Sequence, residues 1–226
     1  MNKNRNISMA IALCLSAYAL TTDAAPKAPR IQTGPDAEVS FDGLHRVDGS
    51  VMDMAWAIPT LDLTGYNKLI VVRGGFAYRE VDDPGRYDRS ATEFPIEPES
   101  RARFEEEVGE VFRDELAKIE NWEYVTEPGP DVLVLVGYMI DIVSAVPPDT
   151  IGRGRIYLSR VGEATLVLEL RDSTSNQVLA RSLDRRGADP AWPVEASRVT
   201  TLAEVRRLAR TWARILVKRL DQIAEL

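Results

Sequence analysis

The residues that could do chemistry are few. The chain has one histidine, His45, and one cysteine, Cys14. A zinc site needs several Cys or His ligands, and His45 has no second histidine to join it. We read it as a structural or exposed side chain rather than a general base. Asp82-Asp83-Pro84-Gly85-Arg86-Tyr87-Asp88 is acidic enough to suggest a calcium loop. It lacks the alternating Asp ligands and the terminal Glu of an EF-hand, so a solvated turn is expected. Ser173 and Ser175 fall in turn chemistry, without the Gly-x-Ser-x-Gly frame of a nucleophile elbow. Glu105, Glu106 and Glu107 belong to a charged helix face. The expectation is no catalytic residue, no metal ligand and no cofactor.

Two Arg-Gly stretches invite an anion. Arg73-Gly74-Gly75 and Gly152-Arg153-Gly154-Arg155 both lack the Gly-x-x-x-x-Gly-Lys-Ser/Thr pattern, and neither opens onto a helix. Arg153 and Arg155 are candidates for gripping an anionic lipid head or a glycan. Nucleic acid is not expected, because the formal charge is −7 and no basic tail is present.

The elements that must hold these residues are clearer. Asp131 to Val146 is rich in Val, Ile and Leu, too β-branched for a helix and too short to span a membrane. Strict alternation puts Val132, Val134, Val136, Tyr138, Ile140 and Ile142 on one face of a strand. Leu133, Leu135, Met139 and Val143 take the other. A strand apolar on both faces belongs inside a sheet covered on both sides. Lys68 to Tyr78 predicts a second strand, bulged or bent at Gly74-Gly75. Gly162–Arg171 and Gln177–Leu183 predict a hairpin, and Trp122–Val125 a short strand.

Two helices complete the body. From about Pro98 to Asn121, Phe104, Val108, Val111, Phe112, Leu116 and Ile119 form one apolar stripe among acidic residues. From about Thr201 to Ala224 the stripe of Leu202, Val205, Leu208, Trp212, Leu216, Leu220 and Ile223 runs beside Arg206, Arg207, Arg210, Arg214 and Lys218. Thr201 and Glu204 fit a capping box. Acidic and basic flanks predict neighbouring helices. The order strand, helix, four strands, helix gives an α+β class. We expect a single, mainly antiparallel sheet of about five strands with two amphipathic helices packed on one face. The central strand then asks for cover on its second face. Trp56 and Trp192 are expected to rim an incompletely covered patch there, as candidate partner contacts.

The N-terminus reads as a targeting segment. Lys3 and Arg5 precede an apolar run from Ile7 to Leu20, and Thr22-Asp23-Ala24 supplies small residues before a cut. This divides the chain into a signal peptide (1–24), a flexible leader (25–40) and a single α+β domain (41–226). Periplasmic or secreted localisation follows. The alternative is a lipid anchor on Cys14, although the bulky Leu13 before it is unfavourable.

Several stretches together resemble a bacterial envelope family catalogued as domain of unknown function 3313. They are Asp62-Leu-Thr-Gly-Tyr66, Trp122-Glu-Tyr-Val125, Pro128-Gly-Pro-Asp-Val-Leu133, Gly162 to Asp172, and Val178-Leu-Ala-Arg181. The resemblance covers roughly Phe41 to Leu226. It implies an envelope protein, often a lipoprotein, and brings no catalytic residues with it. The function expected is a non-enzymatic binding or accessory module that meets an envelope protein or a second copy of itself. The alternative is a small-ligand binder or hydrolase-type enzyme using a cleft under the loops.

Overall fold

The computed structural model describes residues 28–82, 91–147 and 155–224. Along the chain run β1 (Arg30–Ile31), β2 (His45–Asp48), β3 (Met54–Ala57), β4 (Lys68–Tyr78), α1 (Pro98–Leu116) and β5 (Glu123–Tyr124). There follow β6 (Val132–Ser144), β7 (Tyr157–Leu158), β8 (Gly162–Asp172), β9 (Val178–Gly187), β10 (Val194–Glu195) and α2 (Arg198–Ala224).

The sheet differs from the one expected. It has eight strands in the order β1-β2-β3-β9-β8-β6-β4-β5, with β7 and β10 forming a separate two-stranded ladder. It is mixed, because β4 runs parallel to both β5 and β6. The cause is α1, whose 19 residues carry the chain back along the sheet before β6 begins. Parallel neighbours need such a crossover, whereas a hairpin gives antiparallel ones. The extra strands come from the N-terminal region. β1, β2 and β3 span only two to four residues each, too few for periodicity to register. They add as a meander to the free edge of β9. The stretch read as a flexible leader therefore holds β1, where Arg30 pairs with Asp48 and Ile31 with Val47.

β6 is the central strand, and one residue resets its phase. Asp141 has φ of 54°, and the pairing with β8 slips between Ile140 and Val143. Such a bulge moves the following side chains to the opposite face. Ile142 consequently joins Met139 in the core beneath the helices, not Val136 on the far face. Leu133 and Leu135 also lie in that core, whereas Val134 on the other face is only half-buried.

Both helices pack on this one face. α2 begins at Arg198, not Thr201, because Ser197 is its cap. The Ser197 hydroxyl accepts the Thr200 N–H at 3.2 Å, and the Thr200 hydroxyl accepts the Ser197 N–H at 3.1 Å. This is a capping box with Thr in the usual Glu position. Between the helices, the Arg206 guanidinium forks onto Glu107 at 2.5 and 2.6 Å. The buried Glu115 takes Lys118 at 2.9 Å and faces Arg210 and Arg214 at 3.6 Å. Lys118, then the two arginines of α2, hold its carboxyl below the usual range.

The deepest polar group is Asp184, 1% exposed, on the helix side of β9. Its Oδ2 accepts the Trp212 indole Nε1–H at 2.7 Å, and its Oδ1 accepts the Asp53 backbone N–H at 3.2 Å. Arg186 pairs with the same carboxylate. One side chain thus ties β9 to α2 and to the start of β3. A second indole, Trp122, donates to the Leu220 carbonyl at 2.9 Å and fixes the far end of α2. Asp184→Ala would strand the Trp212 and Asp53 donors and the Arg186 charge. We expect a loss of about 2–4 kcal/mol in urea unfolding. A loss below about 1 kcal/mol would show that the bond is not holding α2.

Candidate functional site

A cleft of about 490 Å3 lies between α1 and the sheet. Its roof is Val108, Phe112 and Leu116 of α1, and its floor is Leu135 and Met139 of β6 with Leu166 and Leu168 of β8. Leu216 of α2 closes the inner side. The mouth opens along β4, through Val71, Arg73, Arg113 and Tyr124. Small-molecule sites are commonly apolar concavities of roughly 300–1,000 Å3 with a few polar groups at one side. This cleft has that form.

Two glycines make the space. Gly137 sits in the middle of β6, where an added Cβ would meet only Leu168 Cδ2, at 3.6 Å. Gly109 sits within the apolar stripe of α1, where a Cβ would meet only Arg73 Nη1, at 3.7 Å. A glycine inside a helix or strand costs roughly 0.5–1 kcal/mol against alanine. At both places the chain carries that cost and leaves floor and roof bare.

The mouth depends on a bulge in β4. The pairing with β6 slips between Arg73 and Gly75, so Arg73 and Phe76, three residues apart, share the cleft side. The Arg73 guanidinium lies 4.9 Å from the Phe76 ring centre. An added Cβ on Gly74 would come within 2.4 Å of the Tyr138 ring, which crosses there on the opposite face. The strand is open because β5 pairs only with Lys68 and Leu69. Beyond them Val71 and Val72 are 42% and 41% exposed. Phe104 closes the far end, edge-on to Phe76 and Tyr78. The Tyr78 hydroxyl donates to Glu105 at 3.0 Å; burial first, and then this bond, push the phenol well above its ordinary range. The Tyr124 hydroxyl donates to the Leu116 carbonyl at 2.6 Å and ends α1 there, short of Asn121.

The residues singled out from sequence are spread over the molecule. Trp56 lies in β3 on the face away from the helices, half-buried, with the Arg46 guanidinium 4.9 Å from its ring centre. Trp192 is 80% exposed in the loop between β9 and β10. The same loop meets α2 through the Arg207 bond to the Asp189 carbonyl. Trp56 pairs opposite Arg181, six residues before the end of β9, which is about 20 Å of strand. Arg155 is near Glu195 at 3.7 Å. Arg153, Cys14 and the signal segment lie outside the described residues, as does most of the Asp82–Asp88 turn. His45 Nδ1 is 2.8 Å from the Gln32 carbonyl, a bond that ties β2 to the chain after β1. Among the described residues, no group of three or more His, Cys, Asp or Glu is placed to hold a metal ion. Nor is any described helix long and apolar enough to cross a membrane.

A protein-family model, described as "Protein of unknown function (DUF3313)", matches residues 38–216. The chain belongs to the DUF3313 family. No curated protein matches it. Among solved structures it is similar to protein XCC0632 from Xanthomonas campestris, of family DUF330. Identity there is 15%, over 75% of this chain and 91% of that one, with a TM-score of 0.40. A neuraminyllactose-binding hemagglutinin homologue from Helicobacter pylori aligns at 8% identity, over 74% and 94% of the two chains, with a TM-score of 0.36. The PelC dodecamer from Paraburkholderia phytofirmans aligns at 15%, over 68% and 89%, with a TM-score of 0.31.

The face of this DUF3313 chain away from the helices is held by ion pairs. Glu169, 7% exposed, accepts Arg181 at 2.8 Å and also pairs with Arg171. Arg181 reaches on to Asp42 at 2.7 Å, with the Phe41 ring centre 5.5 Å from its guanidinium. At the other end Arg79 bonds Asp141 and Glu93, each at 2.5 Å, and Glu163 at 2.7 Å. Between the two networks Tyr138, Val167, Leu183 and Met54 form an apolar row in direct cross-strand register.

Burial alone would raise the Glu169 and Glu163 carboxyls, but their arginine partners outweigh it and hold both low. Arg181 lowers Asp42, and Arg79 lowers Asp141. A carboxyl that titrates lower in the folded chain stabilises fully above its unfolded value and loses that contribution as pH falls through the folded value. The ordinary values are 3.8 for Asp and 4.5 for Glu. The melting temperature should hold steady from about pH 7 to about pH 5 and then fall steeply in acid. Arg181→Gln should lower it at neutral pH and flatten the acid fall. An identical acid profile in that variant would mean the network contributes nothing.

Proposed function

We propose that the protein is a non-enzymatic binding module that takes an apolar ligand in the cleft between α1 and β4. The observation that carries this reading is the volume of about 490 Å3 kept open by Gly137 and Gly109. An open cleft of this size, with a bare floor and roof, has the form of a small-molecule site. The side chains that face it are aliphatic or aromatic, apart from the guanidinium groups of Arg73 and Arg113 and the hydroxyl of Tyr124. That set can hold and orient a molecule. It includes no nucleophile with a base beside it, the pairing that covalent catalysis needs.

The test uses a neutral fluorescent probe, N-phenylnaphthylamine, with Gly137→Leu and Gly109→Leu. The wild-type chain should enhance the probe's emission in a saturable way. Either filled variant should lose at least about tenfold in affinity with the circular-dichroism spectrum intact, since a leucine side chain takes the volume the probe needs. No saturable enhancement by the wild type, or undiminished binding in a folded variant, would overturn the reading.

We place this activity outside the cytoplasm. The support is the leader of Lys3, Arg5, the apolar run and Thr22-Asp23-Ala24. Intact-mass measurement of the exported protein should give a chain beginning at Ala25. A chain beginning at a lipidated Cys14 would replace free export with anchoring.

A further inference from the structure

The mouth of the cleft carries more chemistry than an apolar ligand uses. Arg73 leaves β4 and Arg113 leaves α1 one turn after Gly109, and both line the opening. Arg73 Nη1 lies over Gly109, 3.7 Å from where a Cβ would stand. Its Nη2 donates to Glu105 at 3.3 Å, a long contact on a side chain that is 59% exposed. Arg113 has no carboxylate within salt-bridge distance among the described residues. The mouth therefore carries two guanidinium groups, of which Arg73 alone meets a carboxylate, Glu105, in a chain whose formal charge is −7. Three arginines elsewhere are more fully paired. Arg79 meets three carboxylates, Arg181 two, and Arg206 is forked onto Glu107.

We infer that the ligand is a single-chain anionic amphiphile, its hydrocarbon chain in the cleft and its carboxylate or phosphate head between Arg73 and Arg113. This rests on the cleft being a binding site. The chain end would run inward over Gly137 towards Leu216, the depth at which the lining is wholly apolar. The head would stay at the edge of β4, where it keeps part of its hydration. Burying a charge deeper would cost several kcal/mol without a partner. Arginine suits the task, since its planar fork matches two oxygens of a carboxylate or phosphate. Arg73 reaches the mouth by alternation with Leu69 and Val71, and the β4 bulge after it brings Phe76 to the same side.

Calorimetric titration with three probes below their micelle concentrations tests this: dodecanol, dodecanoate and dodecyl phosphate. The wild-type chain should bind both anions more tightly than the alcohol. The Arg73→Gln/Arg113→Gln variant should weaken the anions by about fivefold, as expected for exposed charge pairs, and leave dodecanol unchanged. Raising the salt concentration should narrow the gap between anions and alcohol in the wild type alone. Equal affinity for all three probes, or an equal loss for all three in the variant, would overturn the head-group assignment while the apolar cleft stands. Failure of dodecanol and both anions to bind would overturn the cleft reading as well. A preference for dodecyl phosphate over dodecanoate would point to a single-chain lysophospholipid source, and the reverse to a free fatty acid; both support the inference.

Discussion

The structure hangs on a buried carboxylate. Asp184 is inside the protein, where an unpaired charge would be severely penalised. It is tolerated because three donors converge on it: the Trp212 indole, the Asp53 amide and the Arg186 guanidinium. Those donors come from α2, from the start of β3 and from β9 itself. The bond fixes where the last helix lies, and the last helix fixes the first, through Arg206 on Glu107 and the arginines around Glu115. The roof of the cleft is α1, so its height above the sheet is set, two steps removed, by Asp184.

The cleft results from a parallel crossover that is only half closed. α1 must span β4 and β6 to return the chain, and its apolar stripe seeks the sheet beneath. Contact is complete at the ends, where Phe104 meets Phe76 and where Leu116 joins the core. In the middle, Gly109 faces downward with no side chain and Gly137 faces upward with none. Hydrophobic burial is given up there, although the neighbouring positions are filled by Val, Leu and Phe. β5 then covers only two residues of the β4 edge, so the space opens to the outside.

The opposite face solves a different problem. No helix among the described residues covers it, and an apolar sheet face left bare would invite association. Arginine and carboxylate side chains of neighbouring strands instead lie across it, with Trp56 beside a guanidinium group and Tyr138 against bare backbone. Arginine stems cover apolar surface while their heads pair. The Tyr138, Val167, Leu183 and Met54 row runs between the two charged networks.

Sequence alone determined much of this. The apolar stripes of both helices, the bulge at Gly74-Gly75, the hairpin of β8 and β9 and the family to which the chain belongs were all legible, because periodicity and turn chemistry are local properties. Parallel pairing of β4 and β6 was not legible, since it depends on which way a crossover returns. The strands β1, β2 and β3 were missed because two to four residues carry no period, and they become strands only by pairing with an edge. Ile142 was assigned to the wrong face because one residue, Asp141, takes a positive φ that alternation cannot foresee. The cleft was hidden for a related reason. Gly109 and Gly137 stood in plain view inside a helix and a strand, and an interior glycine is itself a signal. Only tertiary packing sets the two opposite each other, and only that juxtaposition turns two missing side chains into a binding space.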